Sequence, residues 1–276
     1  STISGEQVGS REAFTVSSCC PFPRAPGKSR MGAFLFVSDI SHGANTNMEV
    51  RLGSLVRDAQ EAQGTTIIID VFRAFTTAAI AFDHGAKEIT LVAEPEEALE
   101  LHRRGIGDFL MGEVAGTRPE GFNFGNSPYE ISQVDLTNKT LIQSTRAGTV
   151  GVAAAVNASE IYLGSFVVAQ ATVAAIKANR ADLVSIIAMG DQGVDRSDED
   201  EHCGIYLRNI MEDREPDFDA VKSLIMAGGA TRKFFDPGQP QFHPEDVTLA
   251  LEIDRYDFAM KISREAGLLV ARKHWG

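Results

Sequence analysis

Cysteine is scarce in this chain: 276 residues hold three, the vicinal Cys19 and Cys20 and the distant Cys203. That set builds no disulfide framework and no zinc spacing. Histidine does not extend it, because the six His residues form no H-E-x-x-H or H-x-H arrangement. Positive charge is short as well. With 26 basic residues against 38 acidic ones the formal net charge is -12, which argues against non-specific nucleic-acid or anionic-membrane binding. No apolar run reaches the roughly 18 residues of a membrane span, and residues 1–30 lack the apolar core of a signal peptide. The expectation is a cytoplasmic protein without nucleic-acid or membrane partners, in which any anionic ligand is drawn by local cations.

What is present divides in two. Residues 1–47 are rich in Ser, Gly, Pro and Asn, with one apolar patch, "MGAFLFV", and read as a poorly ordered N-terminal tail. Over residues 48–276, short β-branched runs alternate with helical stretches, the pattern of a layered α/β domain in one body or two lobes. The spacing predicts strands at 65–70, 88–92, 108–111, 139–143, 160–163 and 183–188. It predicts helices at 54–62, 74–84, 95–103, 149–157, 166–179, 201–212 and 218–228, with a C-terminal helix near 256–270.

In such sheets ligands bind at the carboxyl ends of strands, and several predicted strand ends here carry unusual chemistry. "TTIIIDVFRAFTT" delivers Asp70, then Arg73, Thr76 and Thr77 at a helix start. Asp70 can hold a cation while Arg73 and the helix amides grip a phosphoryl oxygen; equally, Asp70 can cap the helix and pair with Arg73. "GDFLMGEVAG" places Glu113 just past a strand, as a Mg²⁺ ligand, a proton acceptor or a solvated loop acid. "GFNFGNSPYE" holds a capping box of Ser127, Pro128 and Glu130 and leaves Asn126 over as a ligand contact.

"LIQSTRAGTVGVAAAV" brings Ser144, Thr145, Arg146, Gly148 and Thr149 to one helix start, a loop suited to an anionic group although the P-loop pattern is absent. "MGDQGVDRSDEDEHCG" carries an acidic run in which Glu199 or Asp200 could reach a metal held by Asp70 and Glu113. Cys203 reads as a small buried apolar residue. It is not followed by the C-x5-R arginine of cysteine phosphatases, since position 209 is Asn209, and Asp70 lacks the second acid of haloacid-dehalogenase phosphatases, since position 72 is Phe72.

Taken in order, "IDVFRAFTT", "GE", "GFNFGNSP", "RAGT" and "EDEHCG" resemble the ComB family of 2-phosphosulfolactate phosphatases. The resemblance runs from about Met48 to the C-terminus. It implies an α/β/α fold around a mixed, largely parallel sheet, a Mg²⁺ cofactor, and hydrolysis of 2-phospho-3-sulfolactate to 3-sulfolactate and phosphate on the route to coenzyme M. By position, its functional segments fall on Asp70, Val71, Arg73 and Ala74, on Thr76 and Thr77, on Gly112 and Glu113, on Gly125 to Pro128, and on Glu199, Asp200 and Cys203. Phe75 stands where many members have threonine, and "STRAGT" lacks the asparagine of the usual Thr-Thr-Asn-Gly-Thr.

These expectations assign Asp70, Glu113 and Asp200 to Mg²⁺ or to proton transfer, with Arg73 completing the catalytic set. Thr76, Thr77, Asn126, Ser144, Thr145, Arg146, Gly148 and Thr149 are assigned to a small anionic phosphoester, and a homo-oligomer is allowed. Two other readings remain: a Mg²⁺-dependent phosphatase for a different small phosphoester, and a non-catalytic anion-binding protein on the same scaffold.

Overall fold

Strand β2 (Gly64–Ile69) shows why the chain layers as it does. Ile67, Ile68 and Ile69 are all fully buried, and the two-residue period of a strand sends them to opposite faces. Ile68 joins a core with helix α2 (Ala74–Asp83), whereas Ile67 and Ile69 join a second core with helices α6 (Ala169–Ala178) and α7 (Asp198–Met211). Each such side chain contributes about 1.5–3 kcal/mol by leaving water. A strand apolar on both faces belongs inside a sheet covered by helices on both sides.

The computed structural model of the protein describes residues 48–276, so the tail predicted over 1–47 lies outside the described residues. The remaining strands are β1 (Glu49–Ser54), β3 (Glu88–Val92), β4 (Phe109–Gly112), β5 (Thr140–Ser144), β6 (Ala158–Gly164), β7 (Leu183–Ala188), β8 (Ala259–Glu265) and β9 (Leu268–His274). Among the described residues they form one nine-stranded sheet in the order β1-β7-β2-β6-β8-β9-β3-β5-β4. Pairing is parallel within β1-β7-β2-β6 and within β3-β5-β4, and antiparallel at β6-β8, β8-β9 and β9-β3. The result is a mixed, mostly parallel α/β fold, as the resemblance implied.

The other helices are α1 (Leu55–Glu61), α3 (Pro95–Arg103), α4 (Pro128–Ile131), α5 (Gly148–Ala154), α8 (Phe218–Ala227) and α9 (Pro244–Ala250). Helix α2 is buried from Ala74 through Phe82, and its small alanines let neighbouring elements approach on every side.

The C-terminal prediction is corrected. Residues 256–270 are not a helix: β8 and β9 form a hairpin in which Glu265 pairs with Leu268 around Ala266 and Gly267. Both turn residues have positive φ, 47° and 84°, the backbone of a type I′ turn. The alternation of buried Met260 and Ile262 with half-buried Lys261 and Ser263 is a strand period. β1 and α9 were not predicted at all.

Candidate functional site

The turn after β2 answers the question that Asp70 raised. Asp70 is 5% exposed, and both of its oxygens accept backbone N–H groups: Oδ1 from Ala74 at 2.9 Å and Oδ2 from Gly148 at 2.8 Å. It therefore caps α2 and ties the start of α5 to the same point. Glycine at 148 permits this approach, because a Cβ there would stand 2.8 Å from Asp70 Oδ2 and 2.9 Å from the Phe75 ring and would force one of them to shift. Burial, followed by repulsion from Glu113, pushes the Asp70 carboxyl up to about 6, against the pull of the two amides and of Lys233.

Arg73 does not pair with Asp70. Its Nη1 donates to Asp246 Oδ2 and to the Gln241 carbonyl, each at 2.9 Å, and its Nη2 donates to the Gly116 carbonyl at 3.3 Å. Three of the five guanidinium N–H groups are thus committed, and two have no partner among the described residues. Asp246, fully buried on α9, also accepts from Ser127 Oγ at 2.6 Å and from the Tyr129 amide at 3.0 Å. One carboxylate thereby fixes Arg73 and the "GNSPYE" turn together. Ser127 caps α4 through the Glu130 amide at 3.2 Å, as the capping box predicted. Nothing in the residues around position 246 marked this role, since the partner lies 173 residues away in sequence.

Glu113 plays the corresponding part between β4 and β5. Its Oε1 accepts from the Arg146 amide at 2.8 Å and its Oε2 from the Gly116 amide at 2.7 Å. Arg146 itself turns to Glu94, 3.0 Å away, and does not line the cavity described below. The hydroxyls assigned to substrate are buried, and those of the threonines bond back to the framework. Thr76 Oγ1 donates to the Val71 carbonyl at 2.8 Å, Thr77 Oγ1 to the Arg73 carbonyl at 2.8 Å, and Thr149 Oγ1 to the Thr145 carbonyl at 2.8 Å. Thr145 Oγ1 accepts from the Thr149 amide at 3.2 Å, and Ser144 Oγ is buried without a partner. Of the polar residues assigned to substrate, Asn126 is the one that faces the cavity.

The acids opening α7 divide in the same way. Asp200 is 1% exposed, accepts from the Val71 and Gly190 amides at 2.8 Å each, and is off the cavity wall. Glu199 does face the cavity, and its Oε2 is buried without a hydrogen-bond partner among the described residues. Burial first, and the neighbouring Asp200 next, hold Glu199 well above the carboxylate range, and Asp200 is raised by burial and by Asp70. Cys203 is fully buried and lies off the wall, in the packing position expected of it. Among the described residues no three of these acids converge into a preformed cation cage.

These turns enclose a cavity of about 600 Å³ walled by Asp70, Arg73, Glu113, Asn126, Glu199 and Lys233, with Phe72 and Phe242 as apolar faces. Lys233 was not anticipated; it sits in a 3₁₀ turn, Arg232–Phe235, that the sequence pattern does not reveal. The raised Asp70 has a thermodynamic consequence. The folded protein holds the Asp70 proton to about pH 6 and the unfolded chain releases it near 3.8, so stability falls as pH rises through that window. The expected loss from this group is about 3 kcal/mol between pH 4 and pH 7. Urea unfolding of the metal-free protein across that range checks it against Asp70→Asn, which should lose this share of the slope and keep the part that the raised Glu199 and Asp200 carboxyls contribute.

Fold and cavity together define an α/β protein in which the loops and helix starts beyond the strands bring carboxylates and cations to one cavity. The family model for 2-phosphosulpholactate phosphatase matches residues 54–237, a span containing Asp70, Arg73, Glu113, Glu199 and Lys233. A probable 2-phosphosulfolactate phosphatase of Bacillus subtilis is 34% identical over 203 residues, 72% of this chain and 87% of the relative. One of Caldanaerobacter subterraneus is 27% identical over 220 residues, 75% and 91% of the two chains, and one of Thermoplasma acidophilum is 32% identical over 151 residues, 55% and 67%. The chain belongs to the 2-phosphosulpholactate phosphatase family, and with it to the phosphoric monoester hydrolases.

Proposed function

We propose that the chain hydrolyses the phosphomonoester of a 2-hydroxy acid, 2-phospho-3-sulfolactate being the substrate its relatives' names indicate, with Mg²⁺ held by Asp70 and Glu113 and flanked by Glu199. The observation that carries the reading is the buried Asp70 beside the half-committed Arg73 on one cavity wall, inside the span that matches the family. The residues fit the ion. The donors are all oxygens, Asp70 and Glu113 repel one another, and the buried Glu199 Oε2 lacks a partner. Mg²⁺ commonly takes one or two carboxylates, keeps several waters and adds substrate phosphate, so a three-acid cage is not required.

Bound there, the ion would offset phosphoryl charge and polarise its oxygens. The chain supplies the rest. The two uncommitted N–H groups of Arg73 meet phosphoryl oxygens in a planar fork, and Asn126 orients the ligand from beside them. Phe72 and Phe242 thin the water around the site, which strengthens each of these contacts. In the reaction, water oxygen bonds to phosphorus, the bond from phosphorus to the C2 oxygen breaks, and that oxygen leaves with the electron pair and takes up a proton. A place on the route to coenzyme M and a cytoplasmic location remain parts of this reading on the strength of the resemblance alone. Among the described residues no helix is long and apolar enough to cross a membrane.

The test is phosphate release from a panel of phosphorylated 2-hydroxy acids with Mg²⁺ and in excess EDTA. Release from 2-phospho-3-sulfolactate that stops in EDTA is expected. Undiminished turnover in EDTA would remove the metal from the reading, and no release from any member of the panel would leave an anion-binding protein.

A further inference from the structure

Among the described residues the cavity wall holds three cations, and two of them are each held by a carboxylate within 3.2 Å. Arg73 is answered by Asp246 at 2.9 Å, and Arg196 by Glu201 at 3.2 Å and by Ser54. Among the described residues Lys233 makes no hydrogen bond, and its ion-pair partner is Asp191, 3.9 Å away. Its ammonium instead stands 5.1 Å from the Phe242 ring centroid, and the Arg73 guanidinium carbon stands 4.7 Å from that same ring. Phe234 is shared in the same way, at 5.9 Å from Lys233 and 5.8 Å from Arg73.

Two aromatic rings therefore carry a pair of positive charges on one wall. Cation–π contacts hold each charge in place without neutralising it. A ligand with one phosphate would answer Arg73 and leave Lys233 unmatched, whereas a ligand with a second anionic group a few bonds from the phosphate answers both. The chain's net charge of -12 repels such a polyanion at long range, so each of its charges requires a local partner. A lysine suits a tetrahedral or freely rotating anion, because its ammonium acts as a point charge instead of a planar fork.

We infer that Lys233 is a specificity-determining residue of this site, binding a second anionic group of the substrate, sulfonate or carboxylate, while Arg73 takes the phosphate. The inference rests on the phosphomonoesterase reading given above. It goes further in assigning the distal charge to one residue. Lys233 is near enough to act on Asp70, whose carboxyl its charge draws down.

The experiment compares wild type, Lys233→Met and Lys233→Arg in two measurements with Mg²⁺ present. The first is the ratio of kcat/KM for 2-phospho-3-sulfolactate to that for the phosphomonoester of a neutral alcohol. The ratio should fall about 10–100-fold in Lys233→Met, the worth of a charge-assisted contact, and recover largely in Lys233→Arg. An unchanged ratio overturns the inference, as does an equal loss on both substrates. The second is calorimetric binding of 3-sulfolactate, which needs no turnover. If wild type proves inactive on every phosphoester, the activity reading falls, and the calorimetry still decides Lys233: binding weakened about tenfold or more in Lys233→Met supports the assignment, and equal binding in both proteins overturns it.

Discussion

Replacing Asp246 with alanine should lower stability by about 3–5 kcal/mol, the usual cost of leaving one member of a buried ion pair alone. Asp246 and the Arg73 side chain are 0% and 3% exposed, so water cannot replace the lost partner. The same change strands the Ser127 hydroxyl and the Tyr129 amide. For a chain of this size the fall corresponds to roughly 6–20 °C in Tm. Turnover should drop too, because Arg73 would be free to turn toward Glu113 or Asp70 and its open N–H edge would no longer be aimed. A double variant, Arg73→Met with Asp246→Leu, separates the two effects: it removes both charges, and should recover much of the stability while turnover stays lost. Wild-type Tm and turnover in Asp246→Ala would sink the positioning role.

Asp246 also shows where the sequence stopped being legible. The local signals were strong: β-branched runs gave the parallel strands, and Ser127 with Pro128 and Glu130 gave a capped turn. Motif order led to the right family and to Asp70, Arg73 and Glu113 at converging strand ends. What could not be read was which way each side chain faces. In the first turn of a helix, neighbouring residues point about 100° apart around the axis, and the acidic run does not say which of them looks inward: Asp200, the acid assigned to the metal, knits the cavity floor, and Glu199 beside it faces the cavity. Thr76, Thr77 and Thr149 looked like ligand hydroxyls because Ser and Thr at helix starts serve both purposes, and here they bond back to their own turns. The hairpin of β8 and β9 escaped because its turn is Ala266-Gly267, without the Asn-Gly or Asp-Gly that usually marks a type I′ turn. Lys233 escaped for a related reason. A lone lysine in an irregular segment carries no pattern, and its meaning comes from Phe234, Phe242 and Arg73 around it.

Replacing Asp70 with asparagine should cut turnover at least about 100-fold, the lower end of what a positioned charged or acid–base group contributes, while changing Tm at pH 7 only a little. The small stability effect is a difference between two opposing terms. The new amide can accept one of the two N–H groups that Asp70 now holds, from Ala74 and Gly148, but its own NH₂ must face the other donor, at a cost of about 1–3 kcal/mol. Against that, asparagine carries no charge. It escapes the burial penalty that holds Asp70 at about 6 and costs the folded state about 3 kcal/mol at pH 7. Below pH 4 the wild-type carboxyl is protonated and that relief disappears, so the variant should be clearly the less stable protein in acid and nearly equal to wild type at neutrality. Mg²⁺ should raise wild-type Tm at pH 7 and do so far less in the variant, because the charge that holds the ion is gone. If Asp70 only caps α2 and anchors α5, the stability terms will appear as described, but kcat per folded molecule and the Mg²⁺ shift will match wild type. Preserved kcat would therefore end the catalytic assignment, and a preserved Mg²⁺ shift would move the ion away from Asp70.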